Sequence, residues 1–364
     1  MKKVNVFKYL FLLALPVFFV SCEDDNENEN ESTGKYSNGT FIINEGSFSA
    51  SNADVTFIGA NDSVEQSVFA NANNSVVLGS VLQSAYYYNG QIFLVVNNSN
   101  KVAVVNAETF KQEQQIDGLV QPRYMTVANG KGYITQWDST AKGQVKVVDL
   151  TTYKVTKTIE VGDDPEGIVL SNGKLWVANS GYGNYVNSDS TISIIDPSTD
   201  KVLNTITVAE SPRELTVDKD GNVWVLTAGV VVYDWNPPYA ITKQTSSSLV
   251  KVNVTDNTIS KTIISIDSHP SHIDISADKS KIYYGCNGNY GIYEVSVSNP
   301  SIPSQPIIAG WFYGFNVNPK TGDIYVCDVK DYKTAGEVTK YSSTGTKIKS
   351  YTAGLIPNGV LFTK

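Results

Sequence analysis

The residues able to do chemistry sit at one repeating position. Arg123, Glu166 and Arg213 each follow a proline, in Gln121-Pro122-Arg123-Tyr124, Asp164-Pro165-Glu166-Gly167 and Ser211-Pro212-Arg213-Glu214. Ser271 in His269-Pro270-Ser271-His272 and Asn358 in Ile356-Pro357-Asn358-Gly359 hold the same place, with Tyr313 or Gly314 and Ser84 or Ala85 as looser equivalents. These side chains can recognise a polar ligand together or pair with one another. Groups suited to catalysis are few. The chain has two histidines, His269 and His272, both readable as turn residues. It shows neither a Gly-x-Ser-x-Gly elbow nor a His-Glu-x-x-His helix. The sequence therefore reads as a binder rather than an enzyme.

The elements that carry these residues are short strands. The segment Glu166–Ser171, turn Asn172-Gly173, Lys174–Asn179, then Thr191–Asp196, turn 197–200 and Val202–Val208 reads as four antiparallel strands, a to d, because Asn-Gly between apolar runs favours a tight hairpin. Similar hairpin signals fall at Asn89-Gly90, Asn129-Gly130, Asp220-Gly221 and Thr321-Gly322. Repeats begin near Ser84, Gln121, Asp164, Ser211, His269 and Phe312. A period of about 40–50 residues built from four strands marks a β-propeller. The seventh repeat is split: Ile356–Phe362 supplies strand a, Thr40–Gly46 strand b and Ala53–Gly59 strand c. The expected fold is all-β, a seven-bladed propeller over 39–364 whose two ends share one blade.

The turns are lopsided. Connections a–b and c–d are short. Connections b–c and d–a lie on the opposite face, and several b–c loops are long and aromatic, as binding loops tend to be. They carry Trp137, Tyr182, Tyr185, Trp235, Tyr239, Tyr290 and Tyr332, and Phe48 and Tyr124 lie near the same mouth. A second polar ring falls at the ends of the b strands: Asn44, Gln136, Asn179 and Asp328, with Val96, Thr227 and Cys286 at the equivalent places. Such residues bind ligand or cap loop backbone. Among the oxygen donors, Glu45, Glu166, Asn179 and Asp328 would suit calcium in the channel. The leading reading has no metal and no cofactor.

The first 21 residues read as a secretory leader: Lys2, Lys3 and Lys8, an apolar run from Tyr9 to Val20, then Ser21 before Cys22. That ending resembles a bacterial lipobox, which implies lipidation at Cys22 as the sole membrane attachment. Residues 22–38 read as Cys22 followed by a flexible tether that begins with the acidic run Glu23-Asp24-Asp25-Asn26-Glu27. Net charge is −8, with no basic stripe, which argues against a nucleic-acid partner. Cys286 and Cys327 are expected as buried free thiols, because their strand positions are offset by one residue.

The motifs Asn44-Glu45-Gly46-Ser47-Phe48, Gln121-Pro122-Arg123-Tyr124 and Asp164-Pro165-Glu166-Gly167-Ile168, with Lys174–Gly181, resemble the YncE-like propeller lipoproteins of Bacteroidetes over about Thr40 to Lys364. The resemblance implies a surface-exposed, outer-membrane lipoprotein that captures cobalamin or a related corrinoid and delivers it to a TonB-dependent transporter. Two alternatives stay open: an adhesion propeller that binds glycan or protein, and a metal-dependent lactonase-like hydrolase. The binding loops are where such families diverge, so the resemblance transfers no ligand residue by position.

Overall fold

The computed structural model describes residues 34–138, 142–181, 188–287 and 290–363. The leader, Cys22 with most of its tether, Tyr182 and Tyr185 lie outside the described residues. The strands form seven consecutive antiparallel blades. In the blade read most clearly from sequence, strand a is Pro165–Ser171, b is Lys174–Asn179, c is Thr191–Asp196 and d is Lys201–Thr207. The other six innermost strands are Leu82–Tyr88, Pro122–Ala128, Pro212–Val217, His272–Ile275, Gly314–Val317 and Pro357–Phe362. Each begins within a few residues of the expected repeat start.

The hairpins form for the expected reason. Asn89-Gly90, Asn129-Gly130 and Asn172-Gly173 all have both residues at positive φ, the signature of the tight turn whose twist matches the flanking strands. The ends of the chain share a blade as expected. Pro357–Phe362 pairs with Gly39–Asn44, which pairs with Asp54–Gly59 and then the two-residue strand Val64–Glu65.

The core is a set of slabs between neighbouring blades. Seven apolar clusters occupy the successive blade–blade interfaces. Trp176 and Ile194 of one blade, for example, meet Leu215 and Val225 of the next. Many of the tyrosines serve this packing. Tyr133, Tyr283 and Tyr284 are almost fully buried. Tyr133 reaches the next blade to donate to Asp200 Oδ1 at 2.6 Å, and Tyr351 does the same to Asp62 Oδ1 at 2.6 Å. Cys286 and Cys327 are buried and free, and burial pushes both thiols up, away from reactivity.

Two features depart from the simple repeat. The long b–c connection after Val223–Thr227 folds into its own hairpin, Val231–Tyr233 with Ile241–Gln244. The blade that starts at His272 has three strands. In place of a regular fourth strand runs a segment with Pro300, Pro303 and Pro306, which cannot donate to a ladder. It touches the edge through a bridge between Ile292 and Ile308.

Candidate functional site

The innermost strands enter the channel through irregular backbone. The residue just before the strand is left-handed at Val81, Gln121, Asp164, Ser211 and Ile356, with φ of 61°, 42°, 43°, 56° and 54°. The a–b register slips between Leu82 and Ser84, Pro122 and Met125, Pro165 and Ile168, and Pro212 and Glu214. Such bulges re-aim side chains. For a β-branched residue such as Ile356 the left-handed region is unfavourable and persists because the surroundings enforce it. Here it turns the residue after the proline into the axis.

The result is a cavity of about 600 Å³ whose wall includes Arg123, Glu166, Arg213, Ser271, Tyr313 and Asn358, together with Ser84 and Tyr124. The ring after the proline is therefore a spatial ring. Arg123 forks onto Glu166, Nε to Oε2 and Nη2 to Oε1, both at 3.0 Å. The Arg213 Nη1 lies 3.8 Å from Glu166 Oε1, and the Arg123 guanidinium stacks 4.1 Å above the Trp137 ring. One carboxylate thus holds two cations, and one of those sits over an aromatic ring. A planar guanidinium suits both contacts.

Deeper in the channel, acids and amides join the strands. Glu214 Oε2 accepts from Ile273 N at 3.1 Å, Asp274 Oδ2 from Val317 N at 2.9 Å, and Asn316 Oδ1 from Val360 N at 2.7 Å. Each links one innermost strand to the next. Ser271 Oγ lies 2.7 Å from His272 Nδ1, and His272 Nε2 lies 3.8 Å from Glu214 Oε1. The hydroxyl, imidazole and carboxylate fall in sequence, but Glu214 is already committed: Oε1 accepts from the Tyr124 hydroxyl at 3.1 Å and Oε2 from Ile273. The carboxylate works as a latch between strands.

Burial pushes the Asp274 carboxyl up to about 6, although the Val317 and Ile275 amides and Asn316 favour its charged form. Burial likewise raises Glu45 against a 3.0 Å bond from the Tyr313 hydroxyl. A carboxyl raised on folding holds its proton more tightly in the native state than in the unfolded chain. Its contribution to stability is full below the ordinary aspartate range and is lost as pH rises toward 6. Replacing Asp274 with Asn removes that loss. The melting temperature of Asp274→Asn relative to the parent should therefore rise between pH 4.5 and 7. A difference that stays flat across that window would contradict this account.

The second expected ring divides differently. Asn44 donates Nδ2 to Thr56 Oγ1 at 3.0 Å and accepts from Gly354 N at 2.9 Å. Gln136 accepts from Val120 N at 3.0 Å and donates to Gln144. Asn179 donates to Thr191 and Ser193 at 2.9 and 3.0 Å, and Asp328 accepts from Lys330 N at 2.8 Å. These side chains bracket strand ends and loop backbone, and none belongs to the wall of the 600 Å³ cavity. Among the described residues, no cluster of three His, Cys, Asp or Glu side chains is placed to hold a metal ion.

The aromatic residues crown the mouth unevenly. Phe48 is exposed and borders the cavity. Tyr332 packs edge-on against Tyr313, centroids 5.8 Å apart. Tyr290 does the same against Trp311 at 5.7 Å. Trp235, 87% exposed, and Tyr239 stand out on the extra hairpin, whose first strand begins at Val231 beside the mouth. Trp311, 67% exposed, was not among the expected residues. It lies in the connection that leads into the innermost strand Gly314–Val317, on the same face as the b–c loop of Tyr290, which was the available signal. Glu214, Asp274 and Asn316 were also missed. They lie further along strands already assigned to the channel.

A second cavity of about 490 Å³ shares Arg213, Ser271, Asn287 and Tyr313 with the first, so the two form one depression. Its wall adds Ser211, His269 and the stretch Ala228–Val231.

Solved structures share the fold. A quinonprotein alcohol dehydrogenase-like protein from Bacteroides thetaiotaomicron is 16% identical, with a TM-score of 0.67 over 90% of this chain and 78% of that one. Two proteins described as candidate 6-phosphogluconolactonases are similar as well. The one from Bacteroides uniformis is 14% identical, TM-score 0.63, over 89% of this chain and 98% of its own, and the one from Bacteroides fragilis is 11% identical, TM-score 0.62, over 90% and 98%. At such identities the likeness is one of fold. No curated protein sequence matches. A family model does match, across residues 38–362, the whole closed ring, and the chain belongs to that family, described as Domain of unknown function (DUF5074).

Proposed function

We propose that this protein is a surface-exposed, lipid-anchored binder that captures a sizeable, flat, amide-rimmed ligand in the mouth of its propeller. The first candidate is cobalamin or a related corrinoid, delivered to a TonB-dependent outer-membrane transporter. The observation that carries this reading is the two-lobed depression. Its floor offers fixed charges and amides, and its rim carries exposed aromatic rings. A rigid concave site with a few converging polar groups is what a large small-molecule ligand needs, and preorganisation lets many modest contacts add to high affinity. We assign the site no catalytic step. Its strongest acid–base groups are spent on one another: Glu166 on Arg123, Glu214 on Tyr124 and Ile273, and Glu45 on Tyr313.

The exposed Trp235, Tyr239 and Trp311 also favour a second reading, in which the rim stacks on sugar rings. Calorimetric titration with cyanocobalamin at micromolar concentration separates the two. Heat with a defined stoichiometry is expected, and its absence would leave the glycan reading. Trp235→Ala should weaken the ligand by about tenfold, the scale of one lost aromatic contact, with an unchanged melting temperature because the ring is almost fully exposed. A large drop in melting temperature would assign Trp235 to packing instead.

A further inference from the structure

The two lobes of the depression differ in charge. The first has four carboxyl groups on its wall, Glu45, Glu166, Glu214 and Asp274, against Arg123 and the shared Arg213. Among the described residues that line the second lobe, Arg213 is the one side chain with a fixed charge. The rest of that wall is mostly small and neutral, with Gly181, Ser211, Gly229, Ser271 and Asn287 as examples. Glu210, next in sequence to Ser211, is held by Lys243 at 2.6 Å and does not belong to the wall.

Arg213 stands where the lobes meet. Its Nη1 lies 3.8 Å from Glu166 Oε1, beyond hydrogen-bond length. Both oxygens of Glu166 already accept from Arg123 at 3.0 Å. Two guanidinium groups against one carboxylate give these three side chains a net charge of +1. The Arg213 side chain is 20% exposed, so this charge is partly desolvated yet faces the cavity. An anion arriving there gains Coulomb energy that water screens only in part. A guanidinium also presents paired N–H donors that match phosphate oxygens. The Ser211 and Ser271 hydroxyls share the wall of the same lobe and add neutral donors.

Resting on the reading of the mouth as a capture site, we propose that the second lobe is a phosphate subsite. Arg213 receives a phosphate or phosphodiester of the ligand, and the rest of the ligand lies over the first lobe. The carboxyl groups of the first lobe repel the anion, so the charge difference sets which way round the ligand sits. The second lobe, about 490 Å³, has room for a phosphate and a neutral group beside it. For the corrinoid candidate the anion is the phosphodiester of the nucleotide loop. The broad ring stays over the mouth, and only the loop enters the second lobe. Complete corrinoids are then preferred over precursors that lack the loop.

The test titrates the folded chain with cobalamin, which carries that loop, and with cobinamide, which keeps the corrin ring and its amides but lacks the loop. Both are used in excess cyanide, so that their axial ligands match. Cobalamin should bind about tenfold tighter or more, the scale of one charge-assisted hydrogen bond. The gap should narrow as sodium chloride is raised. Arg213→Gln should shrink it to about threefold or less by weakening cobalamin. Arg213→Lys, which keeps the charge, should retain part of it. Equal affinities in the parent, or a full gap in Arg213→Gln, overturns the phosphate subsite and leaves the capture reading standing. If neither corrinoid binds, that cargo falls, and inorganic phosphate decides the subsite. Its phosphorus NMR resonance should broaden with the parent and stay sharp with Arg213→Gln. A resonance that behaves alike with both proteins removes the subsite as well.

Discussion

A chain ending at Ile356 should fail to fold cooperatively. The eight residues removed include the strand Pro357–Phe362, which pairs along Gly39–Asn44. They also include Asn358, whose Nδ2 donates to the Leu82 and Gln83 carbonyls at 3.0 and 3.2 Å, and Val360, whose amide donates to Asn316. The truncation thus removes an innermost strand together with its links to both neighbouring blades. Several backbone hydrogen bonds at about 1 kcal/mol each, plus burial of Val360 at about 1.5–3 kcal/mol and a part of that for the half-buried Leu361, sum to more than about 5 kcal/mol. That is comparable to the total stability of an ordinary domain. The deletion also turns Gly39–Asn44 into an exposed, mostly apolar edge, which invites aggregation. Circular dichroism melts and gel filtration read both effects. A truncated chain that stays monomeric and melts with the parent would show that the ring does not depend on its closure.

The same contacts explain why so much of the ring was legible. A propeller blade is a local object: its hairpins are set by Asn-Gly pairs and its strands by short apolar runs, so Lys174–Asn179 and Thr191–Asp196 appear where the pattern placed them. The split blade was legible because each terminus carried the strands that the other lacked. Residues after the proline were legible because a repeat fixes the position of strand a relative to the axis. What failed to read was partner choice. Asn44, Gln136 and Asn179 are polar and recur as regularly as the residues after the proline, yet they turn to loop backbone and neighbouring strands. Their identity could not say which, since strand-end capping and ligand binding use the same amides. The hairpin that lifts Trp235 was equally hidden, because Val231–Tyr233 is too short to stand out from a loop. His269 looked like a turn residue. Its committed Nδ1 depends on Ala228, 41 residues earlier.

Glu166→Ala should be the most damaging single substitution in the channel, and it should harm ligand capture as well as stability. The Glu166 side chain is 3% exposed and faces two guanidinium groups, Arg123 at 3.0 Å and Arg213 at 3.8 Å. Removing the carboxylate leaves like charges close together in a largely desolvated wall. Breaking a buried pair from one side typically costs about 3–5 kcal/mol, far more than a surface pair. Glu166→Gln keeps an acceptor for one N–H and should lose less. Arg123→Met should also lose less than Glu166→Ala, because Glu166 keeps Arg213 as a counterion and the apolar chain can still cover Trp137. Urea unfolding of the three variants orders these costs, and a loss below about 1 kcal/mol for Glu166→Ala would mean that water screens the cluster. The effect on capture follows from the same geometry. Glu166 fixes Arg123, and Arg123 fixes Trp137 beneath it. Without the fork both side chains regain rotamer freedom that a ligand must then remove, at about 0.5–1.5 kcal/mol for each. Glu166→Ala should therefore weaken the captured ligand by about tenfold or more under conditions where the variant is fully folded. Equal affinity in the folded variant would show that the cluster stabilises the ring and takes no part in shaping the mouth.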